Sequence, residues 1–469
     1  MKYTRLADGL EELIVSGALK HGQRLPSIRD LSHAHAVSIA TVVQAYRELE
    51  SRALAEARAR SGYFVTYDQA VLPSDSKADA SGGPHRLTLF DDIMPEMLTE
   101  HSGDALTRLG VSQLEPDLVA SDELKRIMRS VIRNADERLF EYPAPAGMNS
   151  LRQTICELML NRGATAPPEE ILITNGCQEA LWIAIQCVAK TGDNIAIASP
   201  TYPGFLKIMQ TMGLRAFEIP VTVGAGIDLD LLDSKLKNYD IAAIYVMPNC
   251  SNPQGAVLSE DNKSSLYKLA KKNNVAIIED DSNRDLYYGD YALSSIKAHD
   301  DCGLVIFCSS FSKTIAPSLR VGWLAPGCYF EDAHALKYAL NLATPAMSQL
   351  TLERFITEGG YRRQLNRLKS VLPATMKSMT KCIAAELPTA QFAMPAGGTF
   401  VWIELDEKID SRELRSKALE RGVSIAPGTL FSVTVSHANC LRLGWGGKWN
   451  SHVEEAIKAL GLTVREMTE

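Results

Sequence analysis

The sequence predicts a winged helix-turn-helix followed by an α/β domain, with a mostly parallel sheet covered by helices and a small C-terminal lobe. Short aliphatic runs alternate with helical stretches after residue 171, as in sheets that are buried on both faces. Two adjacent helix starts lie near the N terminus, and a polar segment separates the two parts. With 469 residues the chain exceeds one compact core, so several folding units are expected.

The composition is that of a soluble globular protein, with 46% hydrophobic and 22% charged residues. Charges interrupt residues 1–13, and no later run reaches membrane-spanning length, so neither a signal peptide nor a membrane partner is expected. The nine cysteines are scattered and never spaced as CxxC, which disfavours a disulfide framework and a zinc site. We expect a cytoplasmic protein without a bound metal.

The net charge of −7 is unevenly spread. Residues 1–68 carry nine Lys or Arg and eight Asp or Glu, a net +1, which leaves −8 for the remainder. This asymmetry is too mild to predict a nucleic-acid partner from charge alone.

The first helix start is at Pro26 and Ser27. Ser27 is placed as the N-cap, and Asp30 occupies the third position as in a capping box. Ile28 and Leu31 then face inward.

A second helix, from Ile39 to Arg52, follows after the short turn at residues 35–37, and Ser38 is its expected N-cap. Its apolar residues recur at helical spacing on one face. Two helices joined by such a turn predict a helix-turn-helix. Small or polar residues suited to groove contact lie on the outer face: Ser38, Ala40, Thr41 and Gln44.

Two strand-like runs follow, Leu54–Glu56 and Tyr63–Val65, and they predict a hairpin that grips backbone phosphate. The segment between them contains Arg58, Arg60, Ser61 and Gly62. The pattern alone is equally typical of any small helical domain with a hairpin.

The string GQRLPSIRDLSHAHAVSIATVVQAYRELE, followed by SGYFV, resembles the winged helix of the GntR regulators. That resemblance implies a double-stranded DNA partner, contacted by Arg29, Ser38 and Thr41, with Gly62 at the wing turn. Ile39 and Ala40 stand where the family often has a basic residue. The expected contribution of base contacts is therefore modest relative to phosphate contacts.

Residues 69–86 gather Pro, Ser, Asp and Gly without apolar periodicity, which predicts a solvated linker. As a flexible coil, this linker spans about 23 Å root mean square. The predicted domains are therefore residues 1–68 and 87–469. The second domain divides into a large part at about 140–330 and a small lobe at about 331–469, where helices give way to short strands and glycine turns.

The segment SSFSKTIAPSLRVGW (residues 309–323) follows a buried aliphatic run and places Lys313 at the end of a predicted strand. Desolvation there lowers the pKa of the amine, so that it can condense with an aldehyde. Ser310, Ser312 and Arg320 supply donors for a phosphate. A lysine after a strand, taken singly, is more often a solvated surface residue.

Three further segments suit the same pocket. Asn252 in NCSNPQG can donate to a phenolic oxygen, Asp280 in VAIIED can pair with a pyridinium nitrogen, and Gly176 in TNGCQEAL opens a helix N terminus suited to phosphate. Each has a simpler alternative: Asn252 suits an ordinary turn, Asp280 suits a helix cap, and Gly176 suits an ordinary glycine turn.

Together these segments resemble the fold-type I aminotransferases over residues 142–444, which implies pyridoxal 5'-phosphate as the cofactor. Lys313 then forms the internal aldimine, Asp280 pairs with the ring nitrogen, and Asn252 binds the ring oxygen. Arg442 of LRLGWG clamps a substrate carboxylate. The remaining implied contacts are Tyr202, stacked on the ring, then Gly176, Cys177, Gln178, Ser310, Ser312 and Arg320 around the phosphate, with Tyr142 from the partner subunit. Taken singly, Tyr142 and Tyr202 suit packing aromatics and Arg442 an exposed strand residue.

One position departs from that pattern. Relatives usually place a ring-oxygen tyrosine shortly after the aspartate, where this chain has Asn283. The missing hydroxyl implies weaker tuning of the aldimine formed with Lys313. Tyr287 and Tyr288 are candidates to replace the usual tyrosine. Asp281 directly follows Asp280, and only the alignment of the motif favours Asp280 as the partner of the ring nitrogen.

A GntR-type head fused to an aminotransferase-like domain resembles the MocR regulators over essentially the whole chain. That resemblance implies a homodimeric transcription regulator, in which an amino compound, or the vitamer itself, is sensed by displacement of Lys313. Paired heads suit paired half-sites. A working aminotransferase that carries a DNA-binding head remains the alternative. A cofactor-free domain is disfavoured by Lys313, Asp280 and Arg320 together.

Overall fold

The computed structural model describes residues 3, 6, 7, 9, 10, 19, 22–35, 37–51, 55–58, 62–65, 83–86, 93–100, 106–135, 137–160, 163–289, 292–434 and 436–468. The chain divides into two compact units, Met1–Ser76 and Lys77–Glu469. The division falls inside the predicted linker, whose residues 69–82 lie outside the described residues.

The first unit contains the two predicted helices and the hairpin. They are α1 (Ile28–Ala34), α2 (Ile39–Ser51), β1 (Ala55–Arg58) and β2 (Gly62–Val65), with β1 antiparallel to β2. The Ser27 hydroxyl accepts from the Asp30 amide at 3.2 Å, and the Ser38 hydroxyl accepts from the Thr41 amide at 3.2 Å. Both predicted N-caps are confirmed. β1 extends to Arg58, beyond the predicted strand end, while Leu54, Arg60 and Ser61 are outside the described part.

The apolar face of α2 forms the core of this unit, as its spacing predicts. Val42, Tyr46 and Leu49 are buried, and the Tyr46 hydroxyl donates to the Pro26 carbonyl at 2.5 Å. An unpredicted extended segment also pairs with β2, since the Leu25 amide donates to the Tyr63 carbonyl at 2.9 Å. The hairpin is therefore held to the segment that precedes α1.

The second unit is built on a nine-stranded sheet in the order β3-β7-β6-β9-β10-β11-β12-β5, with β8 paired to β7. Its strands are β3 (His85–Arg86), β5 (Leu172–Thr174), β6 (Asn194–Ser199), β7 (Arg215–Thr222), β8 (Gly226–Ile227), β9 (Ile241–Val246), β10 (Ala276–Asp280), β11 (Val305–Ser310) and β12 (Gly322–Ala325). Strands β7, β6, β9, β10 and β11 are parallel to one another along this order, whereas β12 is antiparallel to both of its neighbours. The predicted mostly parallel sheet is confirmed.

Helices cover both faces of this sheet. They are α4 (Ser121–Asn134), α5 (Asn149–Leu160), α6 (Cys177–Val188), α7 (Pro203–Met212), α8 (Leu229–Asn238), α9 (Glu260–Asn273), α10 (Phe330–Asn341) and α11 (Ala346–Thr357). Strand β6 shows the alternation: Ile195 and Ile197 pack with α6 and α7, whereas Ala196 and Ala198 pack with α8 and α9. Continuous aliphatic runs follow from burial on both faces.

The small lobe contains a four-stranded sheet in the order β13-β14-β17-β16. Its elements are α12 (Gly360–Glu386), β13 (Gln391–Phe392), β14 (Phe400–Glu404), α13 (Ser411–Glu420), β15 (Val423–Ser424), β16 (Ala426–Pro427), β17 (Cys440–Gly444) and α14 (Ser451–Thr468). Within the described parts of the chain, no helix is long and apolar enough to cross a membrane.

Helices α10 and α11, which follow the predicted start of the lobe at residue 331, contact the large sheet. Ala333 of α10 and Leu352 and Phe355 of α11 are buried in the clusters that include residues of the large sheet. Conversely, β4 (Thr107–Arg108), which precedes most of the large sheet in sequence, pairs in parallel with β15. The lobe thus combines chain from both sides of the large sheet.

Candidate active site

A cavity of about 230 Å³ lies where the parallel strands β10 and β11 end. Asp280 is the last residue of β10, Ser310 is the last residue of β11, and Lys313 lies in the turn that follows. Ten of the predicted site residues line this cavity: Cys177, Gln178, Tyr202, Asn252, Asp280, Ser310, Ser312, Lys313, Arg320 and Arg442. Gly176 directly precedes the first of them. The sheet therefore places these distant segments together.

Lys313 is half-buried, and its Nζ donates a hydrogen bond to the Ser112 carbonyl. Burial lowers the pKa of its amine to about 8; the positive charges of Arg442 and Arg320 act in the same direction, and Asp280 opposes them. Near neutral pH the amine is therefore far more often neutral than that of a solvated lysine. The structure does not place it as a solvated surface residue.

Asp280 faces the cavity and is buried. It accepts hydrogen bonds from the Tyr245 hydroxyl at 3.2 Å and the Ser282 amide at 3.0 Å, and Cys177 Sγ lies 3.6 Å from it. Burial raises the pKa of this carboxyl, although the hydrogen bonds oppose the rise. Its neighbour Asp281 does not line the cavity and accepts from Asn249 Nδ2 at 2.9 Å. Geometry therefore favours Asp280 over Asp281.

An anion cradle forms where α6 begins. Gly176 precedes the helix with φ +80°, and no side chain caps its first turn. Arg320 donates from Nη2 to the Asn175 carbonyl at 2.8 Å, and its Nη1 lies 3.4 Å from Ser312 Oγ. A Cβ at Gly176 would lie 2.5 Å from Arg320 Nη2, so only glycine fits here. Helix amides, a guanidinium and hydroxyls are the donors that phosphate requires.

Arg442, on β17, is buried rather than exposed. It donates from Nη1 to Asn252 Oδ1 at 2.8 Å and from Nη2 to the Gly110 carbonyl at 2.5 Å. Its Nε is buried without a hydrogen-bond partner among the described groups. Burial lowers the pKa of Arg442 to about 10, and the rings of Phe400 and Phe431 flank its guanidinium at 5.6 and 5.0 Å. A buried cation with an unused donor suits a carboxylate ligand.

The two predicted tyrosines lie in different settings. Tyr202 is half-buried on the cavity wall, and its hydroxyl donates to Gln178 Oε1 at 3.2 Å. Tyr142 is 86% exposed and does not line the cavity of its own chain. Phe140, close by in sequence, is 87% exposed.

Asn283 is buried on the cavity wall, where its Nδ2 donates to the Cys250 carbonyl at 3.1 Å. Neither Tyr287 nor Tyr288 lines the cavity, and the Tyr288 hydroxyl donates to the Gly398 carbonyl. Asn283 therefore lines the cavity, whereas the two candidate replacement tyrosines do not. Tyr245, which the sequence did not single out, contacts Asp280 instead.

Sequence patterns also missed one whole wall of the cavity. Helix α3 (Ile93–Thr99) contributes Met94, Met97 and Leu98, and the segment after β4 contributes residues 110–113. A seven-residue apolar stretch beside the predicted linker gives only a weak helical signal.

A buried ion pair supports the cradle from behind. Lys337 Nζ lies 2.6 Å from Glu179 Oε1, and Glu179 accepts from Asn175 Nδ2 at 2.8 Å. Asn175 in turn accepts from Arg320 through its carbonyl. Lys337 is completely buried on α10, and burial lowers the pKa of its amine.

The predicted DNA-contacting residues lie at the surface of the first unit. Arg29 and Ser38 are exposed, and the Ser38 and Thr41 hydroxyls lie 2.9 Å apart at the start of α2. Gly62, at the start of β2, is exposed with φ +97°. Arg58 stacks its guanidinium over the Phe64 ring at 4.6 Å, so the described part of the hairpin carries an exposed cation.

A mostly parallel sheet with a desolvated lysine, a buried carboxylate and an anion cradle at its strand ends defines a protein of the aminotransferase fold. The family "Aminotransferase class I and II" matches residues 106–460, and "Bacterial regulatory proteins, gntR family" matches residues 2–65. The uncharacterized HTH-type transcriptional regulator YjiR of Escherichia coli (strain K12) is 33% identical over 474 residues, covering 100% of each chain. This chain therefore belongs to the class I and II aminotransferase family and, with its gntR head, is a transcription regulator of the MocR type.

Solved structures agree with this assignment. LysN, the α-aminoadipate aminotransferase of Thermus thermophilus, was solved with N-(5'-phosphopyridoxyl)-L-leucine and matches with a TM-score of 0.74 and 25% identity, over 80% of this chain and 95% of that chain. Pyrococcus horikoshii kynurenine aminotransferase, solved with PMP, matches with a TM-score of 0.74 and 25% identity, over 81% of this chain and 94% of that chain. Relatives of this fold bind pyridoxal phosphate. The cradle at Gly176 and Arg320 and the buried Asp280 fit that cofactor.

Proposed function

We propose that this regulator binds operator DNA through its first unit and senses an amino compound, or the cofactor vitamer itself, through pyridoxal 5'-phosphate held at Lys313. The observation that carries the proposal is the half-buried Lys313, with its pKa near 8, in a cavity that it shares with Asp280 and Arg320. The proposal thus combines a DNA-binding unit and a reactive amine in one chain.

Each predicted cofactor-binding residue has a defined role in this proposal. When bound, the cofactor supplies an aldehyde that condenses with primary amines and a ring that withdraws electrons. Lys313 provides the amine that holds it, Asp280 keeps the ring nitrogen protonated, and Asn252 donates to the ring oxygen. The phosphate lies in the cradle formed by Gly176, Cys177, Gln178, Ser310, Ser312 and Arg320, and Tyr202 lies against the ring.

Arg442 is the proposed contact for the ligand's carboxylate. It is the charged side chain of the cavity that the cofactor leaves free, and its unpartnered Nε offers a further donor among the described groups. Because Arg442 belongs to the small lobe and the cofactor is held beside the large sheet, a ligand that engages both Arg442 and the cofactor favours a closed arrangement. Sensing needs such a difference in affinity between two arrangements.

A homodimer is part of the proposal. Phe140 and Tyr142 are large aromatic side chains left exposed on the second unit, and such patches mark interfaces. The partner's Tyr142 then completes the phosphate site. Two heads, each with Arg29, Ser38, Thr41 and Gly62 at the DNA, suit paired half-sites in the bacterial cytoplasm.

Full transaminase turnover is the second candidate function, because the cavity retains the lysine, the ring carboxylate and the carboxylate-binding arginine together. A sensor needs only the exchange of one amine for another, whereas turnover needs a second half-reaction with a keto acid. Incubation with amino acids and a keto acid separates the two candidates. More than one keto product per active site favours the enzyme.

The proposal is tested on the full-length holoprotein. We expect visible absorbance that borohydride removes, its absence in Lys313→Ala, and a change in DNA affinity when an effective amine is added. Lys458→Ala, which removes an exposed lysine that does not line the cavity, is the control for general effects of losing a lysine. Cofactor absorbance retained in Lys313→Ala, or DNA affinity indifferent to every amine and vitamer that alters the absorbance, contradicts the proposal.

A further inference from the structure

The cavity walls differ sharply in chemistry. Asp280, Lys313 and Arg320 line the side assigned to the cofactor. Met94, Met97 and Leu98 of α3 line the same cavity together with Val111, and Met94 and Val111 pack against the cluster of Met97, Leu430 and Phe431. We call Met94, Met97, Leu98 and Val111 the apolar wall. It is formed by two thioethers and two aliphatic side chains.

The apolar wall adjoins the group that binds the ligand's carboxylate. Arg442 Nη2 donates to the carbonyl of Gly110, the residue directly before Val111, and Phe431 of the neighbouring cluster flanks the same guanidinium. A ligand whose carboxylate contacts Arg442 therefore has hydrophobic surface immediately beside it. Methionine side chains adapt their shape to extended apolar groups.

The charges available to a ligand are limited. Among the lining residues that the structure describes, the charged side chains are Asp280, Lys313, Arg320 and Arg442. The first three are assigned to the cofactor, so Arg442 alone remains. Within the described lining of this chain, a second carboxylate on the ligand has no cation of its own, and a side-chain ammonium has no acid of its own. An unpaired charge in such a site is costly.

The wall is fixed to the small lobe. Arg415 Nη2, on α13, lies 2.8 Å from Glu100 Oε1 just after α3, and both side chains are mostly buried. Met97 is fully packed against Ala426 and Phe431 of the lobe. A ligand side chain that contacts the wall therefore contacts the same lobe that carries Arg442. Binding at the wall adds to the preference for one arrangement of the lobe.

From these contacts we infer that the ligand is a neutral α-amino acid with an extended apolar side chain, its carboxylate on Arg442 and its side chain on the apolar wall. The inference rests on the proposed function and specifies its ligand. Three of the four wall residues, those on α3, lie outside the stretch that matches the aminotransferase family, whereas Val111 lies inside it.

The test titrates the full-length holoprotein with L-alanine, L-2-aminobutyrate, L-norvaline and L-norleucine, then L-glutamate and L-lysine, while the cofactor absorbance is recorded. Each buried methylene is expected to tighten binding about fourfold, the equivalent of about 0.8 kcal/mol. L-glutamate and L-lysine are expected to bind no more tightly than L-alanine.

The double variant Met94→Ser/Leu98→Ser is expected to flatten this dependence on chain length while leaving alanine affinity within about twofold, because Leu98 is largely exposed and the substitutions spare the buried Met97. Met394→Ser is the matched control, since Met394 is exposed and does not line the cavity. Tighter binding of glutamate or lysine than of norleucine, or an undiminished dependence on length in the double variant, overturns the inference. An absorbance indifferent to every amino acid, alanine included, instead overturns amino-acid sensing itself.

Discussion

Arg442 and Asn252 are joined directly, with Nη1 of the arginine donating to Oδ1 of the asparagine across 2.8 Å. The resemblance to aminotransferases predicts different ligands for these two residues. Arg442 is expected to bind the carboxylate of the amino compound, and Asn252 is expected to bind the ring oxygen of the cofactor. Their hydrogen bond links the two proposed binding sites within the protein. In the proposed function, a carboxylate that engages Arg442 therefore acts on a residue that also contacts the cofactor.

Replacing Arg442 with glutamine tests its role as carboxylate contact. Loss of a charged hydrogen-bonding partner is expected to weaken binding of an amino acid about ten- to hundredfold. The amine that lacks the carboxylate, for example butylamine beside norvaline, serves as the control and binds with nearly unchanged affinity. Both affinities come from titration of the cofactor absorbance. Equal losses for the two ligands contradict a specific contact with the carboxylate.

The pH dependence of cofactor uptake follows from Lys313. Because burial and Arg442 lower its pKa to about 8 from an ordinary 10.5, the neutral amine is available at a lower pH than for a solvated lysine. The rate of uptake by cofactor-free protein is expected to rise with pH, with a midpoint near 8. Arg442→Gln removes a positive charge and should move that midpoint upward. A wild-type midpoint near 10.5, or one that Arg442→Gln lowers, contradicts this account.

Gly176→Ala probes the anion cradle. The new methyl lies 2.5 Å from Arg320 Nη2, so the guanidinium must move, and cofactor affinity is expected to fall at least tenfold as one charged hydrogen bond is lost. Gly192→Ala is matched, with φ +94° but no atom within 4 Å of the added Cβ. That control costs about 1 kcal/mol of unfolding free energy from backbone strain and leaves cofactor affinity unchanged. An equal loss of cofactor affinity in Gly176→Ala and Gly192→Ala contradicts a specific role of Gly176 in the anion cradle.

Lys337→Met leaves Glu179 buried without its cation. We expect the free energy of unfolding to fall by about 3 kcal/mol or more, with partial recovery in Lys337→Met/Glu179→Gln. Denaturant unfolding measures both. Lys458→Met, which removes an exposed pair with Glu454, is the control and should change little. A Lys337→Met protein as stable as the wild type shows that the pair has no structural role.

Arg29→Ala tests the DNA-binding face. Loss of one phosphate contact is expected to weaken binding to all sequences alike and to reduce the magnitude of the slope of log affinity against log salt by about 1. Fluorescence anisotropy with a duplex selected by the protein from random sequence measures this. Lys190→Ala, at an exposed position of the second unit, is the control. An unchanged salt slope places Arg29 away from the DNA.

Local signals were sufficient for much of the fold. Six aliphatic runs of the sequence, at residues 171–174, 195–199, 242–247, 275–280, 304–309 and 321–325, each overlap a strand, because continuous apolar sequence is what burial on both faces requires. Strand β7 was missed, since Glu218 and Pro220 interrupt its aliphatic run. Ser27 and Ser38 were predictable as N-caps because capping depends on residues three positions away.

Long-range pairings were not predictable in this way. Lys337 and Glu179 are 158 positions apart, and a lysine on a helix is ordinarily solvated. Arg442 and Asn252 are 190 positions apart, so their roles could be assigned but not their contact. Asn283 was identified from the departure in its motif. Its hydrogen bond to Cys250, and the position of Tyr287 and Tyr288 outside the cavity lining, required the fold.

The position of α3 matters for anyone who dissects this chain. A sensor fragment that begins at Lys77, where the second compact unit starts, keeps Met94, Met97 and Leu98. One trimmed to residue 106, where the match to the aminotransferase family begins, discards them. The shorter fragment retains every residue of its own chain that is proposed to hold the cofactor, but if α3 selects the ligand as inferred, its ligand preferences are expected to differ from those of the full-length protein.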